Sequence, residues 1–272
     1  MNSSVNAPVN VAATGVRVAT RVPAAAASGS NDSRLATLHT RPPRVVDTDM
    51  LHARTGQYSV LAPVLSPALV AVHQPSSCQT EALRGLRSEL ILRWFNEHNP
   101  TLAVMAPHGR EGCSTVAANL AISLAQLGEP TLLVDANFRQ PRQHELFGLT
   151  PRIGLSDLLR DRDFDEEALA PIAAVENLHV LCTGAVPGNP QELLSRAAFT
   201  HLLRTAMPER FRAIIIDTPP ALAYADAHVI AARARGCVLV IRRHRTCLKD
   251  VEKVKGRLVP TDAVVLGAVL NG

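Results

Sequence analysis

The chain has 272 residues, 47% of them hydrophobic, which suits one sizeable core and a single domain carrying a tail. A net charge of +4 and 3% aromatic residues argue against a nucleic-acid surface, which needs a basic stripe interleaved with aromatics. The longest apolar region, Ser59–Val72, is broken by Pro63 and Pro67 and falls short of the roughly 20 residues a membrane span requires.

Residues 1–60 are rich in Ala, Val, Ser, Thr and Pro, with the run Ala24–Ala27 and the segment Arg41-Pro-Pro-Arg44. Without a sustained apolar period they are expected to be a mostly disordered, low-complexity tail, either a spacer or a carrier of short recognition segments. The N-terminus has no charged-then-apolar signal pattern. Residues 61–272 are the expected domain.

From Thr80 to Phe95, Leu83, Leu86, Leu90 and Leu92 recur near a helical period. Glu81, Arg84 and Arg87 lie at three-residue steps on that helix, a spacing that fits either intermolecular ion pairs or a solvated face. Strand and helix then alternate: strand 101–106, helix 114–127, strand 131–135, and a loop containing Gln140–Phe147. Short helices around 155–160 and 165–170 lead to strand 178–182, helix 190–206 and strand 212–217. Helix 224–234, strand 236–241, helix 247–257 and strand 263–270 complete the pattern. Uninterrupted Val/Ile/Leu runs indicate strands buried on both faces. The expected fold is therefore an α/β three-layer sandwich with a mostly parallel central sheet.

The first strand–helix junction reads Val104-Met-Ala-Pro-His-Gly109-Arg110-Glu111-Gly112-Cys113-Ser114-Thr115. A phosphate-binding P-loop reads G-x-x-x-x-G-K-[ST]. The second glycine is Gly112 and the hydroxyls are Ser114 and Thr115, but Cys113 stands in the lysine position and Pro107 in that of the first glycine. Glycines that let backbone N–H groups turn inward, followed by a helix N-terminus, still favour phosphate. A neutral thiol does not replace an ammonium in stabilising phosphoryl transfer. His108, Arg110, Arg139 and Arg142 are the nearby candidates for substitute charge. Strands 131–135 and 212–217 end in Asp135 and Asp217, the place where parallel α/β sheets bind ligands. With Ser114 they make up the candidate Mg²⁺ set, and the two aspartates are the candidate catalytic carboxylates.

These segments resemble the bacterial tyrosine kinases (BY-kinases) of exopolysaccharide and capsule export, and among them the chain-length-determinant kinases of the EpsG type. That family sits among the MinD/ParA-like deviant-Walker P-loop ATPases. Glu81–Leu90 is similar to its ExxRxxR helix, and Gly109–Ala121 to its Walker A. Leu133–Arg139 with Pro141–Gly148 matches its A′ region, Gly184–Leu194 its NPxELL segment, Ile214–Pro219 its Walker B, and Gly267–Asn271 its last strand. The resemblance covers roughly Leu65 to Gly272.

It implies Mg²⁺ with ATP or ADP held by Gly109, Arg110, Glu111, Gly112, Cys113, Ser114, Thr115 and Arg139. It also implies homo-oligomers joined through Glu81, Arg84 and Arg87. The implied partner is a membrane polysaccharide copolymerase (chain-length determinant protein). The chain is then cytoplasmic, at the inner face of the plasma membrane through that partner.

Departures from the pattern fall on the chemistry. Cys113 replaces the Walker A lysine, Asn137 replaces the second A′ aspartate, and no C-terminal tyrosine cluster is present, only Tyr58 and Tyr224. The favoured expectation is a nucleotide-binding, pseudokinase-like regulator. The alternatives are an active protein-tyrosine autokinase and a MinD/ParA-like positioning ATPase, the last disfavoured by a loop without lysine. Cys78, Cys113, Cys182, Cys237 and Cys247 form no CxxC or zinc spacing and read as reduced thiols. A thiol at a helix N-terminus is expected to have a depressed pKa; Cys113 is then either a redox-sensitive position or a product of drift.

Overall fold

The computed structural model describes residues 17–19, 64–161 and 166–272. The tail expected over 1–60 lies outside these residues, apart from the strand β1 (Arg17–Ala19). The remaining strands are β2 (Thr101–Met105), β3 (Thr131–Asp135), β4 (Leu169–Pro171), β5 (Leu178–Leu181), β6 (Ala213–Asp217), β7 (Gly236–Arg242) and β8 (Val264–Asn271). They form one sheet in the order β1-β8-β7-β2-β6-β3-β5-β4. The pairs β8–β7, β7–β2, β2–β6, β6–β3 and β3–β5 are parallel. The edge pairs β1–β8 and β4–β5 are antiparallel. The expectation of a helix-covered, mostly parallel sheet therefore holds.

Nine α-helices are described: α1 (Val70–His73), α2 (Cys78–Arg93), α3 (Cys113–Ala125), α4 (Gln143–Phe147), α5 (Leu155–Asp161), α6 (Pro190–Ser195), α7 (Ala197–His201), α8 (Asp226–Ala234) and α9 (Leu248–Leu258). Every residue of β2, β3 and β6 is buried. Alternation along these strands divides the core into two layers. Leu102, Val104, Leu133 and Ile215 face a cluster completed by α2 and α3. Ala103, Met105, Leu132, Val134, Ile214 and Ile216 face the opposite cluster, with α8 and α9. Apolar residues on both faces thus force helices onto both sides.

Three expected elements differ. The segment expected as helix over 165–170 is, in its described part, a single 3₁₀ turn (Glu166–Ala168) running into β4. Pro171 is tolerated there because β4 is an edge strand with one pairing partner. The helix expected over 190–206 breaks at Arg196, whose backbone is extended (φ −63°, ψ 151°), and ends in a π-turn over Leu202–Ala206. The loop expected over Gln140–Phe147 contains α4, because the Asp135 carboxylate accepts the N–H groups of Arg142 (3.0 Å) and Gln143 (2.9 Å). A carboxylate from the neighbouring strand thus does the work of an N-cap.

The single tryptophan closes the sheet end remote from Asp135. Its indole Nε1 donates to the Thr101 carbonyl (2.9 Å), and the Thr101 hydroxyl donates to the Ala234 carbonyl (3.0 Å). The ring lies so close over Gly236 that an added Cβ would stand 2.2 Å from Cζ2. Gly236→Ala is expected to cost about 1–3 kcal/mol by overpacking and to lower Tm by roughly 2–4 °C per kcal/mol. Tryptophan fluorescence during thermal unfolding reads both the loss and the displaced ring.

Candidate nucleotide site

The loop between β2 and α3 turns through two left-handed positions, Arg110 (φ 63°) and Gly112 (φ 92°). Gly112 is required twice over: its φ disfavours a side chain, and a Cβ there would lie 2.1 Å from Asn271 Nδ2. That amide donates to the Glu111 carbonyl (3.0 Å), so the end of β8 braces the loop. Glu111 is fully buried. Its carboxylate accepts the His108 N–H (2.9 Å) and the Thr246 hydroxyl. The loop is therefore shaped by residues more than a hundred positions downstream.

Cys113 opens α3 with its thiol turned back toward the sheet, donating to the Val104 carbonyl at 3.1 Å. Burial first, then the negative Asp217, pushes this thiol well above the usual range. The expectation of a depressed pKa is thus overturned: desolvation outweighs the helix dipole. Burial likewise pushes Cys182 and Cys237 up to about 12.

Asp135 and Asp217 are register partners on β3 and β6, and both are completely buried. Burial and the neighbouring Asp217 raise Asp135 to about 7, against the pull of the N–H groups of Gln143, Arg142 and Asn137. Burial raises Asp217 to about 6, against the opposing Ser114, Gln143 and Cys113 side chains. Gln143 joins the parts. Its Nε2 donates to Asp217 Oδ2 (2.8 Å) and to the Ser114 carbonyl (3.1 Å), while Gln143 Oε1 and Asp217 Oδ1 are buried without a partner. Ser114 and Thr115 are half-buried in the first turn of α3. Asn137, where an acid was expected, uses its Oδ1 to accept the Gln140 N–H (3.1 Å).

The candidate substitute charges divide sharply. Arg139 is tied to Asp226 (Nε–Oδ2 2.8 Å) and lies 4.6 Å over the Tyr224 ring. Arg142 pairs with Glu145 at 2.8 Å, and His108 with Asp250 at 3.0 Å. Arg110 has no carboxylate partner among the described residues, and its carbonyl accepts from Arg242 Nη1 (2.9 Å) and Arg245 Nη1 (3.4 Å). Sequence reasoning missed Arg242, Arg245 and Thr246. The signal available was the run Arg242-Arg-His-Arg-Thr246 directly after a buried strand. It also gave no separate role to Gln143 or Asn271.

Glu81, Arg84 and Arg87 lie on α2. Glu81 and Arg84 pair with each other on the surface. Arg87 turns inward instead, donating from Nη1 to the Ser123 carbonyl on α3 (3.0 Å), and burial lowers its pKa.

A phosphate-shaped loop at the first strand–helix junction and paired acids at the neighbouring strand ends define a P-loop NTPase. The family model described as ParA, NUBPL iron-transfer P-loop NTPase, matches residues 97–271. The chain is 35% identical over 198 residues to the putative tyrosine-protein kinase CapB of Staphylococcus aureus, covering 73% of this chain and 86% of that protein. It is 34% identical over 204 residues to the tyrosine-protein kinase YwqD of Bacillus subtilis, covering 75% and 85%. The kinase domain of the Escherichia coli tyrosine kinase ETK superposes with a TM-score of 0.72 at 30% identity, covering 82% of this chain and 86% of that one. The chain belongs to the BY-kinase family of ParA-like P-loop NTPases.

Two measurements follow from the burial pattern. A buried acid whose pKa is raised on folding binds more protons folded than unfolded. The stability that such a group contributes is therefore lost as pH rises from about 4, and is gone above the folded pKa. Asp217→Asn is expected to raise Tm above pH 7, by about 2–4 °C for each kcal/mol relieved, and to change little near pH 4; thermal melts at both pH values test it. Alkylation at pH 7, mapped by mass spectrometry, is expected to label the exposed Cys78 and Cys247 quickly and Cys113, Cys182 and Cys237 slowly.

Proposed function

We propose that this chain is a nucleotide-binding, BY-kinase-like regulator of exopolysaccharide biosynthesis that holds Mg-ATP or Mg-ADP and transfers phosphate poorly. The observation that carries this is the Cys113 thiol, turned back to Val104 in a loop otherwise formed for phosphate. The backbone of Gly109–Thr115 cradles the phosphates, and the N-terminus of α3 contributes its dipole. Magnesium suits the remaining donors, because the unpartnered Asp217 Oδ1 and the Ser114 hydroxyl are hard oxygen ligands with Asp135 behind them. When bound, the ion neutralises phosphate charge. Among the chain's own residues, Gln143 holds Asp217 in place, and Asp135 orients the segment that carries Gln143.

In this reading the exposed Glu81 and the half-buried Arg84 meet a neighbouring copy, while Arg87 fixes α2 to α3. The partner is a membrane-bound polysaccharide copolymerase, which places the chain at the inner face of the membrane. No helix among the described residues is long and apolar enough to cross a membrane. An active autokinase is the second reading, favoured by the unpaired arginines beside the loop. Of the two tyrosines, Tyr224 is half-buried beneath Arg139, a poor acceptor, and Tyr58 lies outside the described residues.

Calorimetry with Mg-ADP and Mg-ATP, joined to phosphotyrosine blotting, separates the readings. Wild type is expected to bind without forming phosphotyrosine, and Cys113→Lys to bind about tenfold tighter, about 1.4 kcal/mol. Phosphotyrosine on wild type would establish the autokinase instead.

A further inference from the structure

Four candidates for substitute charge near the loop, His108, Arg110, Arg139 and Arg142, were legible in the sequence, and three of them face acids. The charge that remains is at the loop's outer edge. Arg242 ends β7, a parallel neighbour of β2, so the sheet itself delivers it beside the phosphate loop. The turn that follows is built rather than loose. The Thr246 hydroxyl accepts the Arg242 N–H (2.9 Å) and donates to the Glu111 carboxylate, and His244 adopts a left-handed conformation (φ 59°). Arg245 is thereby returned to the same spot as Arg242. Both guanidiniums converge on one acceptor, the Arg110 carbonyl.

Two cations sharing one neutral oxygen repel each other, and each keeps most of its five N–H donors unused. Among the described residues neither pairs with a carboxylate, and Arg110 does not either. Glu111, the acid inside the loop, is already occupied by the His108 N–H and the Thr246 hydroxyl. A concentration of unpaired arginine forks at a backbone nest is suited to a multiply charged anion with several acceptor oxygens.

We propose that Arg242 and Arg245, with Arg110, form a rim that supplies the phosphate-binding cation missing at position 113. Its ligand is the phosphate chain of a nucleoside di- or triphosphate. This rests on the nucleotide-binding reading above and assigns the residues that replace the lysine.

The test is calorimetry of the full chain with ADP and with adenosine, each with Mg²⁺ at low and high salt. The variants are R242Q/R245Q, R242K/R245K, and R242Q/R245Q carrying Cys113→Lys, each checked by thermal melting, with R245Q alone in reserve should the double variant fold poorly. Glutamine keeps an amide donor for the Arg110 carbonyl without charge, and lysine keeps charge without the fork. The Gln pair is expected to lose tenfold or more in ADP affinity together with most of its salt dependence, with adenosine unaffected. The Lys pair is expected to retain most of the affinity, and Cys113→Lys to restore it in the Gln background. Wild-type ADP binding and salt dependence in the Gln pair would overturn the rim while leaving the nucleotide reading intact, as would equal losses in the Gln and Lys pairs. A wild type that binds neither ligand would remove the nucleotide reading and the rim with it.

Discussion

The centre of this structure is an uncompensated pair of buried acids. Asp135 and Asp217 meet in register at the ends of two parallel strands, where ionising both is opposed by desolvation and by mutual repulsion. In a complete P-loop the lysine of the motif brings positive charge to the phosphates nearby. Here that position is a thiol buried against the sheet, and it adds no charge. The protein holds the pair with dipoles instead: three backbone N–H groups on Asp135 and the Gln143 amide on Asp217. Helix α4 exists at its position because of this arrangement.

That arrangement leaves the site incomplete in a particular way. Asp217 Oδ1 and Gln143 Oε1 are buried acceptors without donors, an unfavourable state that a hydrated cation relieves. In the proposed reading the carboxylates favour a metal ion and the backbone of the loop favours phosphate. The backbone N–H groups of the loop and the rim arginines hold the nucleotide in that reading, while the charge missing at position 113 is the one that would stabilise the transition state of phosphoryl transfer. In that reading a BY-kinase relative with cysteine at this position binds nucleotide and transfers phosphate poorly.

In the proposed reading the positive charge lies at the rim of the loop rather than at its base. Arg139, the most obvious substitute along the chain, is committed to Asp226 and stacked on Tyr224. Charge arrives from the turn after β7 instead, on residues more than 130 positions from the loop. Arginine suits a rim because it remains charged while exposed and binds several oxygens at once.

The sequence by itself determined the parallel centre of the sheet and most of the elements along the chain. Runs such as Leu132-Leu-Val134 and Ile214-Ile-Ile216 are apolar on both faces, so a parallel sheet covered on two sides is the arrangement that buries them. It also determined the loop, the two strand-end aspartates and the loss at position 113, because each is a local pattern. Tertiary structure alone decided what these residues face. The pKa of Cys113 follows burial against Val104 and Asp217 rather than its place at a helix start. Helix α4 is capped by an acid on another strand, and Arg87 is absorbed by α3 instead of remaining on the surface. Arg242 and Arg245 reach the loop only because β7 lies beside β2. Solvation and charge pairing depend on neighbours distant along the chain, and strand order in space, which brings them together, is not written in any local pattern.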